Sequence, residues 1–117
     1  YQLDILYTLN DAAIDKFEQQ IRPDGILLVN SSLARKDRVY RKDIKVIKVP
    51  ATDIANELGN ARGTNIVMLG ALACASPDFD VDYMRRAIDY FFAKKGKINA
   101  KNTPCFDRGV EEASKQI

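Results

Sequence analysis

Ile26-Leu27-Leu28-Val29-Asn30 is a short, uninterrupted apolar segment that directly follows Asp24-Gly25, a pair that favours a turn. Such a segment is typical of a strand covered on both faces, as in a parallel sheet with helices on each side. Residues 3–9 predict a strand before it, and a helix beginning at Asp11 is predicted between the two. This order is a βαβ unit, so we expect one three-layer α/β/α domain with a mainly parallel sheet over residues 1–117.

The first helix is predicted from its cap and its apolar face. Asn10 can cap the helix, and Leu9 and Ile14 can pack across that cap. Ile14, Phe17 and Ile21 share one face, so the pattern extends the helix as far as Ile21.

The rest of the chain predicts one more strand and four helical segments. Residues 44–49 form a strand near the sheet edge, because two lysines point outward from it. The first helical segment covers residues 53–58, capped by Thr52 and ended by Gly59, and the second covers residues 66–75 and is ended by Pro77. A third helix is predicted between the Asp80 cap and Gly96. The tail over residues 97–117 is predicted to be helical, with Thr103 as a cap and Pro104 as the first helical residue.

Two of these helices carry further information. The helix over 66–75 is apolar all round, so it must be buried on more than one side. Gly70 within it predicts the close approach of another backbone. The helix after Asp80 has one apolar face, formed by Val81, Met84, Ile88 and Phe91.

Composition restricts the partners. The net charge of +2 is too small to indicate nucleic acid or an anionic membrane as a partner. The longest apolar run, residues 66–75, is about half of the ~20 residues that span a bilayer. The first residues show no signal peptide, so we expect a soluble, cytoplasmic protein.

The chain has two cysteines, Cys74 and Cys105, and no histidine. Ser-His-Asp and Cys-His mechanisms are therefore excluded within these residues, and two cysteines leave a zinc or iron–sulfur site incomplete. Cys74 is predicted to be a buried small hydrophobe. We predict no catalytic residue and no metal site in this chain.

Asn30, Ser31 and Ser32 follow the carboxyl end of the predicted central strand. In open α/β sheets this is where ligands and partners usually bind. These residues therefore form either a simple strand-end turn or hydrogen bonds to a ligand or a neighbouring subunit.

The loop of residues 59–63 lies between two glycines and leads into the buried helix. It lacks the Lys-Ser/Thr ending of a P-loop and follows a helix, so it is either a tight connection or an anion or carbonyl site. The candidate contacts there are Asn60, Arg62 and Asn65. Residues 35–42 hold five basic residues and form either a solvated loop or a contact to a phosphate-bearing ligand or an acidic partner protein.

Three stretches together resemble a known family: residues 23–32 (PDGILLVNSS), 49–60 (VPATDIANELGN) and 65–72 (NIVMLGAL). In this order and spacing they resemble the gamma subunit, or gamma domain, of the 2-oxoacid:ferredoxin oxidoreductases. The resemblance covers residues 3–110 approximately. The family's glycine-rich GxGGQG-type segment is missing, which implies the C-terminal two-thirds of a gamma domain, with a sheet incomplete at its N-terminal side.

The resemblance implies a subunit of a complex that oxidatively decarboxylates a 2-oxoacid with coenzyme A and reduces ferredoxin. Its partners are then the alpha, beta and delta subunits, with ferredoxin reached through the complex. Thiamine diphosphate and the iron–sulfur clusters are expected in other subunits, so this chain binds no cofactor itself and shows no activity alone. Its role is assembly, with some help to the approach of coenzyme A. The proposed contacts to a neighbouring subunit or to coenzyme A are Asn30, Ser31, Ser32, Asn60, Arg62 and Asn65.

Two other interpretations stay open. One is a stand-alone binding module that holds a phosphate-bearing ligand with the 35–42 loop. The other is a complete small enzyme, although the lack of histidine, of a paired-carboxylate signature and of a metal-binding set argues against it.

Overall fold

The computed structural model describes residues 3–8, 11–76, 78–94 and 101–117. Some predictions fall on residues outside these ranges. They are the cap at Asn10, the packing of Leu9 across that cap, and the helix ends at Pro77 and Gly96. The described residues form one parallel sheet in the order β1-β2-β3. The strands are β1 Leu3–Thr8, β2 Ile21–Asn30 and β3 Lys45–Val49. The central position of β2 and the edge position of β3 are as predicted.

Five α-helices surround the sheet in the described residues: α1 Asp11–Phe17, α2 Ala51–Glu57, α3 Thr64–Ala75, α4 Val81–Lys94 and α5 Asn102–Ser114. Short 3-10 turns follow α1 at residues 18–20 and precede α3 at residues 61–63. None of the helices in this part of the chain has the length and apolar character needed to cross a bilayer.

Successive residues of β2 face opposite layers, which confirms the three-layer architecture. Leu27 and Val29 pack with Ile14 of α1 on one face of the sheet. Leu28 belongs to the larger core on the other face, with Val67 of α3 and Phe106 of α5. All six of these side chains are at most 1% exposed. A strand whose residues alternate between two apolar layers has to be apolar throughout, and this is the pattern that residues 26–29 show.

Helices α3 and α5 pack unusually closely. A Cβ atom on Gly70 would overlap the carbonyl oxygen of Phe106, and a Cβ atom on Gly109 would overlap the carbonyl oxygen of Val67. The close approach predicted from Gly70 is therefore confirmed, and α5 supplies the other backbone. Six residues of α3 spread around the helix are buried, which also confirms its burial on more than one side.

The first helix is shorter than predicted, because Ile21 belongs to β2 and α1 ends at Phe17. The guanidinium of Arg41 donates to the backbone oxygens of Glu18 and Ile21, both at 2.8 Å, and so satisfies carbonyls that a longer helix would use. The predicted turn at Asp24-Gly25 lies within β2 as an irregularity. Leu3 pairs with Ile21 and Ile5 with Ile26, and Asp24 has a φ of 66°.

Two predicted caps are wrong, because both threonines lie inside their helices. Thr52 is the second residue of α2, and its hydroxyl oxygen accepts from the Asn30 side chain at 3.0 Å. Thr103 is the second residue of α5, and its hydroxyl donates to Asp89 at 2.8 Å. The Asp80 cap is confirmed, since its carboxylate accepts from the backbone N–H of Tyr83 at 3.0 Å. Gly59 follows α2 with a φ of 71°, the left-handed conformation expected of a glycine that ends a helix.

Two predictions about burial need correction. Phe91 is 52% exposed, and Phe92 packs against the core in its place. In a helix of 3.6 residues per turn, the third and the fourth positions after Ile88 lie almost equally close to its side of the helix. The sequence pattern therefore selected the wrong one of the two phenylalanines. Cys74 is only partly buried, whereas Cys105 is completely buried.

The C-terminal end of α5 is tied to the outer edge of the sheet. The backbone N–H of Lys48 donates to the side-chain oxygen of Gln116 at 2.9 Å, and the Gln116 amide nitrogen donates back to the Lys48 carbonyl at 2.7 Å. One side chain therefore satisfies both backbone groups of Lys48 at the edge of β3.

Candidate functional site

Asn30 is the centre of a hydrogen-bond network at the carboxyl end of β2. The residue is fully buried, and its side-chain oxygen accepts from the backbone N–H groups of Ala51 at 3.1 Å and Ser32 at 3.2 Å. Its amide nitrogen donates to the hydroxyl of Thr52. Asn30 thus holds the first turn of α2 against the end of β2, which is a structural role.

Ser31 and Ser32 divide between the network and a neighbouring cavity. The Ser32 hydroxyl oxygen accepts from the backbone N–H of Asp53 at 3.1 Å, so it also caps α2. The backbone N–H of Ser31 donates to the Val49 carbonyl at 2.9 Å, and Ser31 lines the cavity described below. Of the first three candidates, Ser31 is the one placed beside an open space.

Asn60 lies at the other end of α2 and is 8% exposed. Its amide nitrogen donates to the side-chain oxygen of Asn102 at 3.1 Å and lies 3.7 Å from the Sγ of Cys105. A Cβ atom on Gly63 would be 2.7 Å from both the Asn60 nitrogen and the Cys105 sulfur. Asn60 therefore joins the loop after α2 to the start of α5.

Arg62 and Asn65 are exposed. The side-chain oxygen of Asn65 lies 3.5 Å from the hydroxyl of Tyr7, a long contact, and Asn65 borders an apolar groove beside α4. Burial raises the pKa of Tyr7 to about 12, so the phenol is protonated at neutral pH and acts as the donor. The six candidate residues thus fall into groups at opposite ends of α2.

Three of the five basic residues in the 35–42 loop are used within the fold. Arg35 contacts Asp11, with its guanidinium at 4.0 Å and its backbone N–H donating to the carboxylate at 2.9 Å. Arg38 is 8% exposed and contacts Asp11 at 3.3 Å and Asp15 at 2.6 Å. Arg41 binds Asp43 through two hydrogen bonds of 2.9 and 2.7 Å, and this bonding holds the pKa of Asp43 below its ordinary value. Arg38 and Arg41 therefore fix the loop against α1 and the start of β2.

The other side of this loop forms a cavity of about 390 Å³ at the carboxyl ends of β2 and β3, here called the basic cavity. Three exposed cationic side chains, Arg35, Lys36 and Lys48, line it, and Asp53 is its one carboxylate. The remaining lining residues are Ser31, Ala34, Tyr40 and Pro50.

Tyr40 organises the floor of the basic cavity. The Lys48 ammonium lies 5.4 Å and the Arg38 guanidinium 5.8 Å from the centre of the Tyr40 ring, both within cation–π range. Burial raises the pKa of Tyr40, against an opposing effect of Arg38, so its hydroxyl is protonated at neutral pH. The cavity therefore offers ammonium, guanidinium and hydroxyl donors, which suit a phosphate or carboxylate group.

Sequence reasoning found only parts of this cavity. It identified Ser31 and the basic loop separately, and it treated Lys48 as an edge-strand lysine. Ser31, the basic loop and Lys48 all lie at the carboxyl ends of neighbouring parallel strands, and this shared position could have indicated the cavity. The described residues contain no group of three or more Cys, Asp or Glu side chains arranged to hold a metal ion.

Comparison with known proteins adds sequence and structural relatives. The family model described as pyruvate ferredoxin/flavodoxin oxidoreductase matches residues 1–112. The 2-oxoglutarate synthase subunit KorC of Methanocaldococcus jannaschii is 35% identical over 111 residues, which are 94% of this chain and 58% of that protein. The curated relatives are longer than this chain, which spans between 24% and 62% of their lengths.

Two solved structures share the fold. The gamma subunit of a keto/oxoacid ferredoxin oxidoreductase from Geobacter sulfurreducens matches with a TM-score of 0.83 and 23% identity, over 97% of this chain and 66% of that one. The 2-oxoglutarate:ferredoxin oxidoreductase from Magnetococcus marinus, with 2-oxoglutarate, coenzyme A and succinyl-CoA bound, matches with a TM-score of 0.86 and 21% identity. That match covers 100% of this chain and 21% of the other.

Proposed function

The chain belongs to the pyruvate ferredoxin/flavodoxin oxidoreductase family, and we propose that it works as a non-catalytic part of a 2-oxoacid:ferredoxin oxidoreductase. The match over residues 1–112 carries this proposal, and it confirms the resemblance of the three quoted stretches to the family. In the proposed complex, alpha, beta and delta subunits hold thiamine diphosphate and the iron–sulfur clusters. The complex converts a 2-oxoacid and coenzyme A to an acyl-CoA and passes the electrons to ferredoxin.

Within that complex, this chain has two proposed roles, assembly and the approach of coenzyme A. For assembly, the exposed candidates Arg62 and Asn65 contact a neighbouring subunit. The test is a double substitution, Arg62→Ala with Asn65→Ala, followed by size-exclusion chromatography of the reconstituted complex. Loss of co-elution supports the role; unchanged assembly and unchanged saturation by coenzyme A contradict any function for these two residues.

For coenzyme A, the basic cavity supports a contact to the phosphate groups. Coenzyme A carries a diphosphate and a 3′-phosphate, and Lys36 and Lys48 supply cations at an open cavity. Charge-assisted hydrogen bonds contribute about 1.5–3 kcal/mol each. Losing one such contact should therefore raise the KM for coenzyme A by about tenfold or more, with kcat little changed.

The experiment is a steady-state titration of coenzyme A with complexes that carry Lys36→Glu or Lys48→Glu. Lys45→Glu is the matched control, because Lys45 is an exposed lysine of the same strand that does not line the basic cavity. An equal KM for all four proteins would contradict the coenzyme A contact and leave the assembly role untouched.

A second candidate function is the stand-alone module for a phosphate-bearing ligand, and one observation favours it. Three exposed cations of this chain, Arg35, Lys36 and Lys48, already line the basic cavity together. Calorimetric titration of the isolated chain with coenzyme A and with dephospho-coenzyme A separates the two functions. Micromolar binding by the isolated chain favours the module, whereas binding only in the reconstituted complex favours the subunit.

A further inference from the structure

Helix α4 presents a row of exposed aromatic side chains on its outward side. Tyr83 is 65% exposed, Tyr90 is 70% exposed and Phe91 is 52% exposed. With Ala87, these residues recur at intervals of three, four and seven positions and so share one side of the helix. Contiguous apolar and aromatic surface of this kind on a folded protein marks an interaction site.

Two adjoining cavities give this side of α4 its shape. The first has a volume of about 620 Å³ and is lined by Tyr83, Arg86, Ala87, Tyr90, Phe91 and Lys94. The second, of about 350 Å³, lies between α3 and α4 and shares Ala87 and Phe91 with the first. It is bordered mainly by aliphatic side chains such as Ile66, Leu69 and Met84. The residues that line the two cavities together form the α4 face, an exposed surface on the outward side of α4 that continues into the apolar space between α3 and α4.

The charges that border the α4 face are of one sign. Arg86 and Lys94 line the first cavity, and no carboxylate among the described residues does. Arg85 pairs with Asp107 at 3.1 Å, whereas Arg86 and Lys94 form no ion pair among the residues that the structure describes. Lys94 follows Arg86 by eight positions, which places the two cations about 12 Å apart along the helix axis. An occupant that neutralised both would need carboxylates at a similar separation.

A second copy of this chain offers exposed carboxylates on α4, Asp82 and Asp89, but it fits the centre of the α4 face poorly. An antiparallel pair of α4 helices about Ala87 would place Arg86 near Arg86 of the other copy, and like charges across an interface are costly. Nucleic acid is also a poor match, because the net charge of the chain is only +2 and the cavities are mainly apolar.

We propose that the α4 face binds an acidic, amphipathic helical segment of another polypeptide. The apolar side chains of that segment occupy the two cavities, and its carboxylates pair with Arg86 and Lys94. Amphipathic helices bind in this way to apolar grooves on helical surfaces, with anchors at positions i, i+3 or i+4 and i+7. This inference is independent of the coenzyme A contact, because it concerns another surface of the domain.

The test uses a fluorescein-labelled helical peptide with leucine anchors at i, i+3 and i+7 and glutamates on the flanking positions. Its partner probe has lysine in place of every glutamate. Fluorescence anisotropy with the full chain is expected to show saturable, micromolar binding of the glutamate peptide and at least about tenfold weaker binding of the lysine peptide. The double variant Arg86→Glu with Lys94→Glu should reverse this preference.

A matched control carries the same change of charge elsewhere. Lys42→Glu with Lys45→Glu alters two exposed lysines outside the α4 face and should bind the glutamate peptide as the unmodified chain does. Tyr83→Ala with Tyr90→Ala should weaken binding at least about fivefold, which separates apolar docking from charge attraction alone. Far-UV circular dichroism checks that every variant is folded.

Three results would overturn the proposal. The first is equal affinity for the two peptides, or loss of affinity in the Lys42/Lys45 control that equals the loss in the Arg86/Lys94 variant. The second is a dimer in analytical ultracentrifugation that the Arg86/Lys94 or Tyr83/Tyr90 variant dissociates, which assigns the face to a second copy. The third is tighter binding of a single-stranded oligonucleotide than of the glutamate peptide.

Discussion

Replacing Asn30 with alanine tests whether this residue stabilises the fold or serves a ligand. The substitution removes three hydrogen bonds, those to the backbone N–H groups of Ala51 and Ser32 and that to the hydroxyl of Thr52. Each net contribution is about 0.5–1.5 kcal/mol, and a buried N–H left without a partner adds about 1–3 kcal/mol. Because Ala51 is fully buried, its N–H has no access to water after the substitution. We expect a loss of about 3–5 kcal/mol in the free energy of unfolding.

Urea unfolding followed by far-UV circular dichroism measures this loss, and calorimetry should show a melting temperature lower by roughly 10–20 °C. Ser32→Ala is the matched control, because it removes one hydrogen bond at a partly buried position. That variant should lose only about 1 kcal/mol. If Asn30→Ala were no less stable than Ser32→Ala, the network at the end of β2 would not hold α2 in place, and a ligand role for Asn30 would regain support.

Three further predictions follow from the packing and the protonation states. Gly70→Ala should cost about 3 kcal/mol or more in urea unfolding, because the new methyl group meets the backbone of Phe106; wild-type stability would contradict the close helix contact. Burial raises the pKa of Tyr7 to about 12, so spectrophotometric titration should show a phenol that ionises at about pH 12, and Tyr7→Phe should remove that step. The free energy of unfolding should also fall as pH rises from about 10 to about 12, because the unfolded chain releases this proton first. Burial raises the pKa of both thiols, but Cys74 is the more accessible, so a thiol reagent should modify it well before Cys105; equal rates would contradict the burial of Cys105.

The strands and the layers were predictable because they depend on local patterns of apolar residues. The segment after Gly25 had to be covered on two faces, and the structure supplies α1 on one side and α3 with α5 on the other. The buried helix over residues 64–75 was predicted for the same reason, since a helix that is apolar all round has no side suited to water.

The end of the first helix was not predictable from its own residues. Ile21 continues the helical pattern, but Arg41, twenty residues later, occupies the carbonyls at the end of the helix. Similarly, Thr52 has the chemistry of a cap, yet the capping oxygen for α2 comes from Asn30. Which side chain satisfies the backbone groups at a helix end depends on the tertiary fold, and a local sequence pattern contains no information about that.

The candidate site was predictable in its location and only partly in its members. Polar residues after β2 do mark the edge where a cavity lies, and Ser31 lines it. The sequence could not distinguish Ser31 from Asn30, because both are polar and adjacent, while only Asn30 has all its side-chain bonding groups engaged in the fold. Arg35 and Lys48 are brought together by the loop between β2 and β3, so their proximity is a property of the fold.

The two edges of the sheet differ, because the side chain of Gln116 occupies backbone hydrogen-bonding groups at the β3 edge. At Lys48 it offers one oxygen and one nitrogen in the positions that the backbone of a fourth strand would occupy. An invading peptide could add beside β3 at Lys48 only after displacing the Gln116 side chain, so stacking of copies into fibrils is hindered from that direction.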